Sequence, residues 1–129
     1  YENSKNIKIV QDAMFASTNE VRGTSYKSRI DNPKYQFAGK TGTAQVKKIT
    51  EKDRELDLKT FEIPYEERDH ALYIAYGPYK NPRYAVSIVI EHGGSGSTKA
   101  APMAKKLFKL VIDRHSLRDS TNSKKYQEI

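Results

Sequence analysis

No cysteine occurs in the 129 residues, so disulfides and metal–thiolate sites are excluded, and the redox compartment is left unread. No apolar run approaches the ~20 residues that span a bilayer. No signal peptide is present, and the chain opens on Tyr1 rather than Met. It therefore reads as a piece of a longer protein, and the lack of targeting signals says little about the parent. There is no internal repeat, no zinc-ligand spacing and no RNA-binding signature of aromatics and glycines. Apolar residues make up only 36% and charged residues 30% of the chain. The length fits one domain.

The net charge is +7. A basic balance can signal nucleic acid or an anionic surface. Here the lysines are scattered (Lys5, Lys8, Lys27, Lys47, Lys59, Lys80, Lys105), which reads as solvated faces and a polar tail. His70, His92 and His115 lack a partner motif, so no metal site is proposed, and no cofactor is expected. Glu91 and His92 read as the end of a strand before a glycine turn, remote from any site.

Ile7, Val10, Met14 and Val21 recur at helical spacing, widened by Ala13 and Phe15. They predict a helix over 4–20 with this stripe in the core. Asn3 or Ser4 caps it, and a left-handed Gly23 ends it. A loop follows to Asn32-Pro33, and a first strand runs over 35–48. Residues 49–69 are rich in both charges and predict a long excursion between two strands, partly disordered, in which Pro64 ends any regular piece. Two apolar, β-branched runs over 70–77 and 83–91 predict strands paired antiparallel across a short turn. The second reads as buried on both faces. A glycine-rich turn over 92–97 leads into a last helix, capped by Ser97 or Thr98 with Pro102 in its first turn. Its expected stripe is Met103, Leu107, Leu110 and Val111, beside Phe108 and Ile112. Beyond about Ser116 the composition predicts a polar, disordered tail over 117–129. The order implies an α+β fold, a three-stranded antiparallel sheet flanked by an N-terminal and a C-terminal helix, over residues 1–116.

One stretch stands out: Ala38-Gly39-Lys40-Thr41-Gly42-Thr43-Ala44-Gln45-Val46. It reads as a strand interrupted by small residues, with one cation and two hydroxyls packed together. Glycine inside a strand is unfavourable unless something must come close to the backbone. Lys40 between two glycines points to an extended, anionic ligand laid against the strand edge.

Lys40-Thr41-Gly42 is one of the sequence marks of penicillin-binding proteins and serine β-lactamases. Three further passages join it. They are Arg22-Gly23-Thr24, the run from Asp69-His70-Ala71-Leu72 to Tyr76-Gly77-Pro78, and the run from Tyr84 through Glu91-His92-Gly93-Gly94-Ser95-Gly96-Ser97. Over about residues 5–113 the chain resembles the C-terminal part of a penicillin-binding transpeptidase domain, most closely the class B elongation transpeptidases of Gram-negative bacteria.

The resemblance implies a peptidoglycan D,D-transpeptidase that works through a serine acyl-enzyme and binds penicillin covalently. Lys40 would set a positive field and enter the hydrogen-bond network of the site. Thr41 and Thr43 would offer hydroxyls, Thr43 to the terminal carboxylate of substrate or β-lactam. Gly42 would keep the approach clear. The amide of Thr43 would supply one oxyanion donor. Ala44 and Gln45 would continue the rim for a donor peptide bound as an added strand. The implied partners are stem peptides, β-lactams and elongation-complex membrane proteins, including a glycosyltransferase of the SEDS family. The implied location is the periplasmic face of the inner membrane, with the anchor outside these residues.

The nucleophile motif of that family, Ser-x-x-Lys, does not occur here. Its look-alikes, Thr24-Ser25-Tyr26-Lys27 and Thr121-Asn122-Ser123-Lys124, carry threonine in place of serine. Ser17-Thr18-Asn19 and Ser120-Thr121-Asn122 match the second motif, Ser-x-Asn, in letters. The first lies too near Lys40 in sequence, on a predicted core helix, and the second follows Lys40 in the wrong order. The chain alone is therefore expected to be inactive. The family's sheet has further strands, so the strand over 83–91 should be an open apolar edge through which the chain self-associates. Two other classes stay open: a small basic nucleic-acid or protein-binding module with a chance Lys-Thr-Gly, and a serine β-lactamase fragment. The Glu-His-Gly-Gly-Ser-Gly run and the charged excursion fit a transpeptidase better than a β-lactamase.

Overall fold

The computed structural model describes residues 4–48, 56 and 58–127, with side chains through 120. Residues 49–55 and 57, on which the expected disorder of the excursion falls, lie outside the described residues, as do the side chains of 121–129.

Residues 4–19 contain neither glycine nor proline, and they form helix α1 (Ser4–Asn19). Its chain then turns, with the Gly23 N–H donating to Glu20 C=O at 2.8 Å. A Cβ on Gly23 would lie 2.3 Å from the Ser17 carbonyl oxygen, so close backbone approach requires glycine there. The expected left-handed conformation is not adopted, since Gly94 is the one described glycine with positive φ (78°). The expected core stripe is also corrected. Val10 and Val21 are exposed, Ile7 and Met14 half-buried, and Thr18 is the buried residue of α1.

Strands β1 (Ala38–Ala44), β2 (His70–Gly77) and β3 (Tyr84–Ile90) form one antiparallel sheet in the order β1-β2-β3. In register, Lys40 stands opposite Ile74, Thr43 opposite Ala71 and Tyr73 opposite Ile88. β1 is shorter than the 35–48 expected, so Gln45 and Val46 follow the strand. β3 is not buried on both faces as expected: it alternates, with Ile88 buried and Val89 60% exposed.

One face of β2 presents Ala71, Tyr73 and Ala75, all buried. Against it lie a widened helical turn (Gly96–Ala100) and helix α2 (Ala101–Gln127). A Cβ on Gly96 would sit 2.5 Å from the Leu72 carbonyl oxygen, so glycine lets the turn settle onto the sheet. Ala100, Ala101 and Ala104 keep α2 close, and Phe108 stacks on Phe37 with ring centres 5.0 Å apart. This face of α2 is not the one expected: Met103, Leu107 and Leu110 are exposed. The moment of a helix weights large side chains, whereas close packing here selects small ones. Neither Ser97 nor Thr98 caps the helix amides. Ser97 Oγ pairs with Ser95 Oγ (3.0 Å) and Thr98 Oγ1 donates to Ser95 C=O (3.5 Å), and Pro102 follows the widened turn. The helix also continues past Ser116 to Gln127, where a tail was expected. Its middle is tied to the start of β3: Tyr84 Oη hydrogen-bonds His115 Nδ1, and Arg83 faces Asp119 at 3.8 Å.

The opposite face of the sheet bears Lys40, Leu72, Ile74, Ser87 and Val89, and Ile74 is 54% exposed.

Candidate active site

The outer edge of β1 is divided into a closed part and an open part. Thr18 closes the first. Its hydroxyl accepts the Gly39 N–H (3.0 Å) and donates to the Gly39 C=O (3.2 Å), taking both groups that a neighbouring strand would use. Asn19 Nδ2 donates to Phe37 C=O at 2.9 Å. Because Gly39 faces outward, the alternation of an antiparallel ladder turns the N–H and C=O of Thr41 and Thr43 outward as well. Those two residues form the open part.

Behind Gly39 sits a buried knot of hydroxyls. Tyr73 Oη lies 2.9 Å from Thr18 Oγ1 and 3.0 Å from Ser25 Oγ, and Ser25 Oγ donates to Ser17 C=O at 3.0 Å. A Cβ on Gly39 would meet Tyr73 Oη at 2.4 Å. Burial raises the Tyr73 phenol above its ordinary range, partly offset by its bonds to Ser25 and Thr18, so it is a neutral donor at working pH.

A second chain of hydroxyls leads to the cation. Ser17 Oγ pairs with Thr24 Oγ1 (3.2 Å), and Thr24 Oγ1 with Thr41 Oγ1 (3.1 Å). Lys40 Nζ donates to Thr41 C=O (2.8 Å) and Thr41 Oγ1 (3.3 Å). Lys40 is exposed on the open face, at the mouth of a cleft of about 500 Å³ lined by Val10, Ala13, Ala16, Ser17 and Thr24. Gly42 shares that face. Leu72 Cβ lies 3.2 Å from where its Cβ would be, so the face beside Lys40 stays bare. Thr43 is exposed at the rim and Ala44 is half-buried. Gln45 is exposed just beyond the strand, where the Val46 N–H donates to Asp69 Oδ1 at 3.3 Å.

Lys40, Thr41, Gly42 and Thr43 therefore share one rim, with Ala44 and Gln45 at its far end. His70 and His92 lie at that far end. His70 pairs across from Ala44, and its Nδ1 accepts the His92 N–H at 2.9 Å. His92 Nδ1 donates to Arg68 C=O at 3.1 Å. Both rings are thus engaged with backbone. Among the described residues no group of His, Asp and Glu is arranged to hold a metal ion, and no helix is long and apolar enough to cross a membrane.

Sequence reasoning missed Thr18, Ser25 and Tyr73. The available signal was Gly39 itself, a second glycine that no ligand contact explains. Ser17-Thr18-Asn19 matched a motif in letters, but Thr18 and Asn19 are spent on the backbone of β1.

The Lys40 cation and the outward-turned N–H groups of Thr41 and Thr43 thus lie along one strand edge. Residues 3–109 match the penicillin binding protein transpeptidase domain, and the chain belongs to that family. Among curated relatives it is 38% identical over 105 residues to the peptidoglycan D,D-transpeptidase MrdA of Salmonella typhimurium, covering 81% of this chain and 16% of that protein. To MrdA of Escherichia coli it is 32% identical over 113 residues, covering 88% and 16%. Among solved structures, Pseudomonas aeruginosa PBP2 in complex with WCK 5153 aligns at TM-score 0.61 and 32% identity, over 84% of this chain and 20% of that one. A complex between PBP2 and MreC from Helicobacter pylori aligns at TM-score 0.60 and 34% identity, over 84% and 18%. The chain thus spans about a sixth of the length of the curated relatives it matches.

Proposed function

We propose that these residues form the substrate rim of a peptidoglycan D,D-transpeptidase that crosslinks stem peptides and is acylated by penicillins. The single observation that carries the reading is the division of the β1 edge. Thr18 occupies Gly39, and the next outward amides, at Thr41 and Thr43, are left beside Lys40.

In this reading a donor stem pairs with the open edge as an added strand. A serine from a Ser-x-x-Lys motif, which this chain does not contain, attacks the carbonyl of the penultimate D-alanine. The ester forms as the amide bond breaks, and terminal D-alanine leaves with the proton on its amine. An amine of a neighbouring stem then attacks the ester, and the serine regains its proton. The Thr43 N–H faces the developing oxyanion, its hydroxyl takes the substrate carboxylate, and Lys40 holds the local field positive. Gly42 keeps the approach clear, and Ala44 and Gln45 extend the pairing. No cofactor is required. By the same reading the protein works at the periplasmic face of the inner membrane with elongation-complex membrane proteins, a SEDS-family glycosyltransferase among them. The Helicobacter relative's complex with MreC supports such an assembly.

The test is covalent labelling by a fluorescent penicillin. The 129-residue chain alone is expected to stay unlabelled, and a protein joining it to an N-terminal part with Ser-x-x-Lys is expected to label. Labelling of the chain alone, or none in the joined protein, would overturn the reading.

A further inference from the structure

We propose that Thr18 and Tyr73 are positioning residues for this rim: together they end the sheet at Gly39 and hold the backbone of Lys40, Thr41 and Thr43 where acyl transfer needs it. The proposal rests on the acyl-transfer reading above and adds two residues to it.

The geometry is specific. Thr18 Oγ1 bonds both polar groups of Gly39, so it takes the place of one residue of a neighbouring strand. No ligand strand can pair at Gly39. A peptide on this edge must therefore pair beyond Gly39, at the Thr41 N–H and at Thr43, since Lys40 Nζ already takes the Thr41 C=O at 2.8 Å, and its register against Lys40 is fixed by the protein. Thr18 cannot hold that place alone, because α1 buries little apolar surface and its Ile9 and Val10 are exposed. Its hydroxyl is anchored from behind by Tyr73 Oη at 2.9 Å, and Ser25 Oγ bridges Tyr73 to the α1 backbone at Ser17. Tyr73 and Thr18 are both fully buried. Tyr73 rises from the middle strand, which is paired on both sides, so the anchor is referenced to the stiffest part of the sheet. Lys40 is one residue from the knot. A small displacement there carries into both amides of the rim, and misplacement by about 1 Å can cost a hundredfold in rate.

The experiment uses a full-length transpeptidase carrying these residues, with acylation by a fluorescent penicillin as the readout. T18V is expected to lower the acylation rate about 10- to 100-fold. T18S, which restores the hydroxyl, is expected to return it to within about threefold. Y73F keeps the ring and removes only the anchor, and it is expected to slow acylation while leaving the circular dichroism spectrum native. Native-folded T18V and Y73F that acylate at the wild-type rate would overturn the proposal, as would T18S as slow as T18V. A second readout separates this from failure of the enzyme reading. In the 129-residue chain, the amide resonances of Lys40, Thr41 and Thr43 are expected to shift in T18V and return in T18S. If the wild-type full-length protein is not labelled, the acyl-transfer reading fails. The amide shifts still decide the positioning, and unmoved resonances in T18V would overturn it.

Discussion

Gly39 and Tyr73 are fitted to one another: the space where a Cβ on Gly39 would stand is filled by the Tyr73 phenol, with Oη at 2.4 Å and Cζ at 2.5 Å. The ring belongs to the buried middle strand and cannot swing aside. Gly39→Ala is therefore expected to destabilise the chain by about 2–3 kcal/mol, as overpacking of a closed core does. Tyr73→Phe will not rescue it, since the ring carbons clash as well as the hydroxyl. Tyr73→Leu is expected to restore part of the loss in the double variant while being destabilising alone. Urea denaturation of the four proteins reads this coupling, and additive effects would show that the two residues are not fitted.

Lys40 is exposed and donates to Thr41 C=O and Oγ1, so it contributes little to the fold. Lys40→Met is expected to leave the melting temperature within about 2 °C, since surface changes of this kind stay within about ±0.5 kcal/mol. In the full-length protein the same change is expected to reduce penicillin acylation by about a hundredfold, the scale seen when an electrostatic contact to the transition state is lost.

The strands and their pairing were legible in the sequence, because β2 and β3 are short apolar runs bounded by turn residues. The limits of α1 were legible too. The faces of the helices were not. Val10 and Val21 on the first stripe, and Met103, Leu107 and Leu110 on the second, have helical spacing, and a periodic stripe signals a covered face. In this structure those stripes stay exposed, while Ala100, Ala101 and Ala104 pack on the sheet. The Lys-Thr-Gly rim was readable from three adjacent residues. The knot beneath it was not, because Tyr73 stands 55 positions from Thr18 and 48 from Ser25. No local pattern connects hydroxyls so far apart.

Asp113 gives the chain an acid-sensitive tie between the loop before β1 and α2. Tyr35 Oη donates to its carboxylate at 2.5 Å and Lys34 Nζ at 2.9 Å. Those bonds, Tyr35's first and Lys34's next, hold the carboxyl below the ordinary carboxylate range. A depressed folded value means that the stabilisation is present above about pH 4, the unfolded value, and is lost as pH falls through the folded one. Asp113→Asn is expected to be less stable than wild type at pH 7 and to converge with it near pH 2. A constant difference between the two urea midpoints across pH 2–7 would contradict this assignment.

The outer edge of β3 has no neighbouring strand among the described residues. Ile88 and Val86 pair inward with Tyr73 and Ala75, so the N–H and C=O of Ala85, Ser87 and Val89 turn outward. An unpaired edge with apolar residues recruits other chains. The 129-residue chain is therefore expected to self-associate through this edge, read as a mass that rises with concentration in light scattering. Ser87→Pro removes an outward N–H without breaking a ladder bond, and proline is tolerated on such an edge. Val89→Lys places a charge on the open face, where Val89 is 60% exposed. Both variants are expected to shift the chain to monomer with the fold intact. A wild-type chain that stays monomeric across the whole concentration range would show that the edge is not sticky. Variants that associate as strongly as wild type would place the contact on another surface, the exposed Met103, Leu107 and Leu110 of α2 being the next to test.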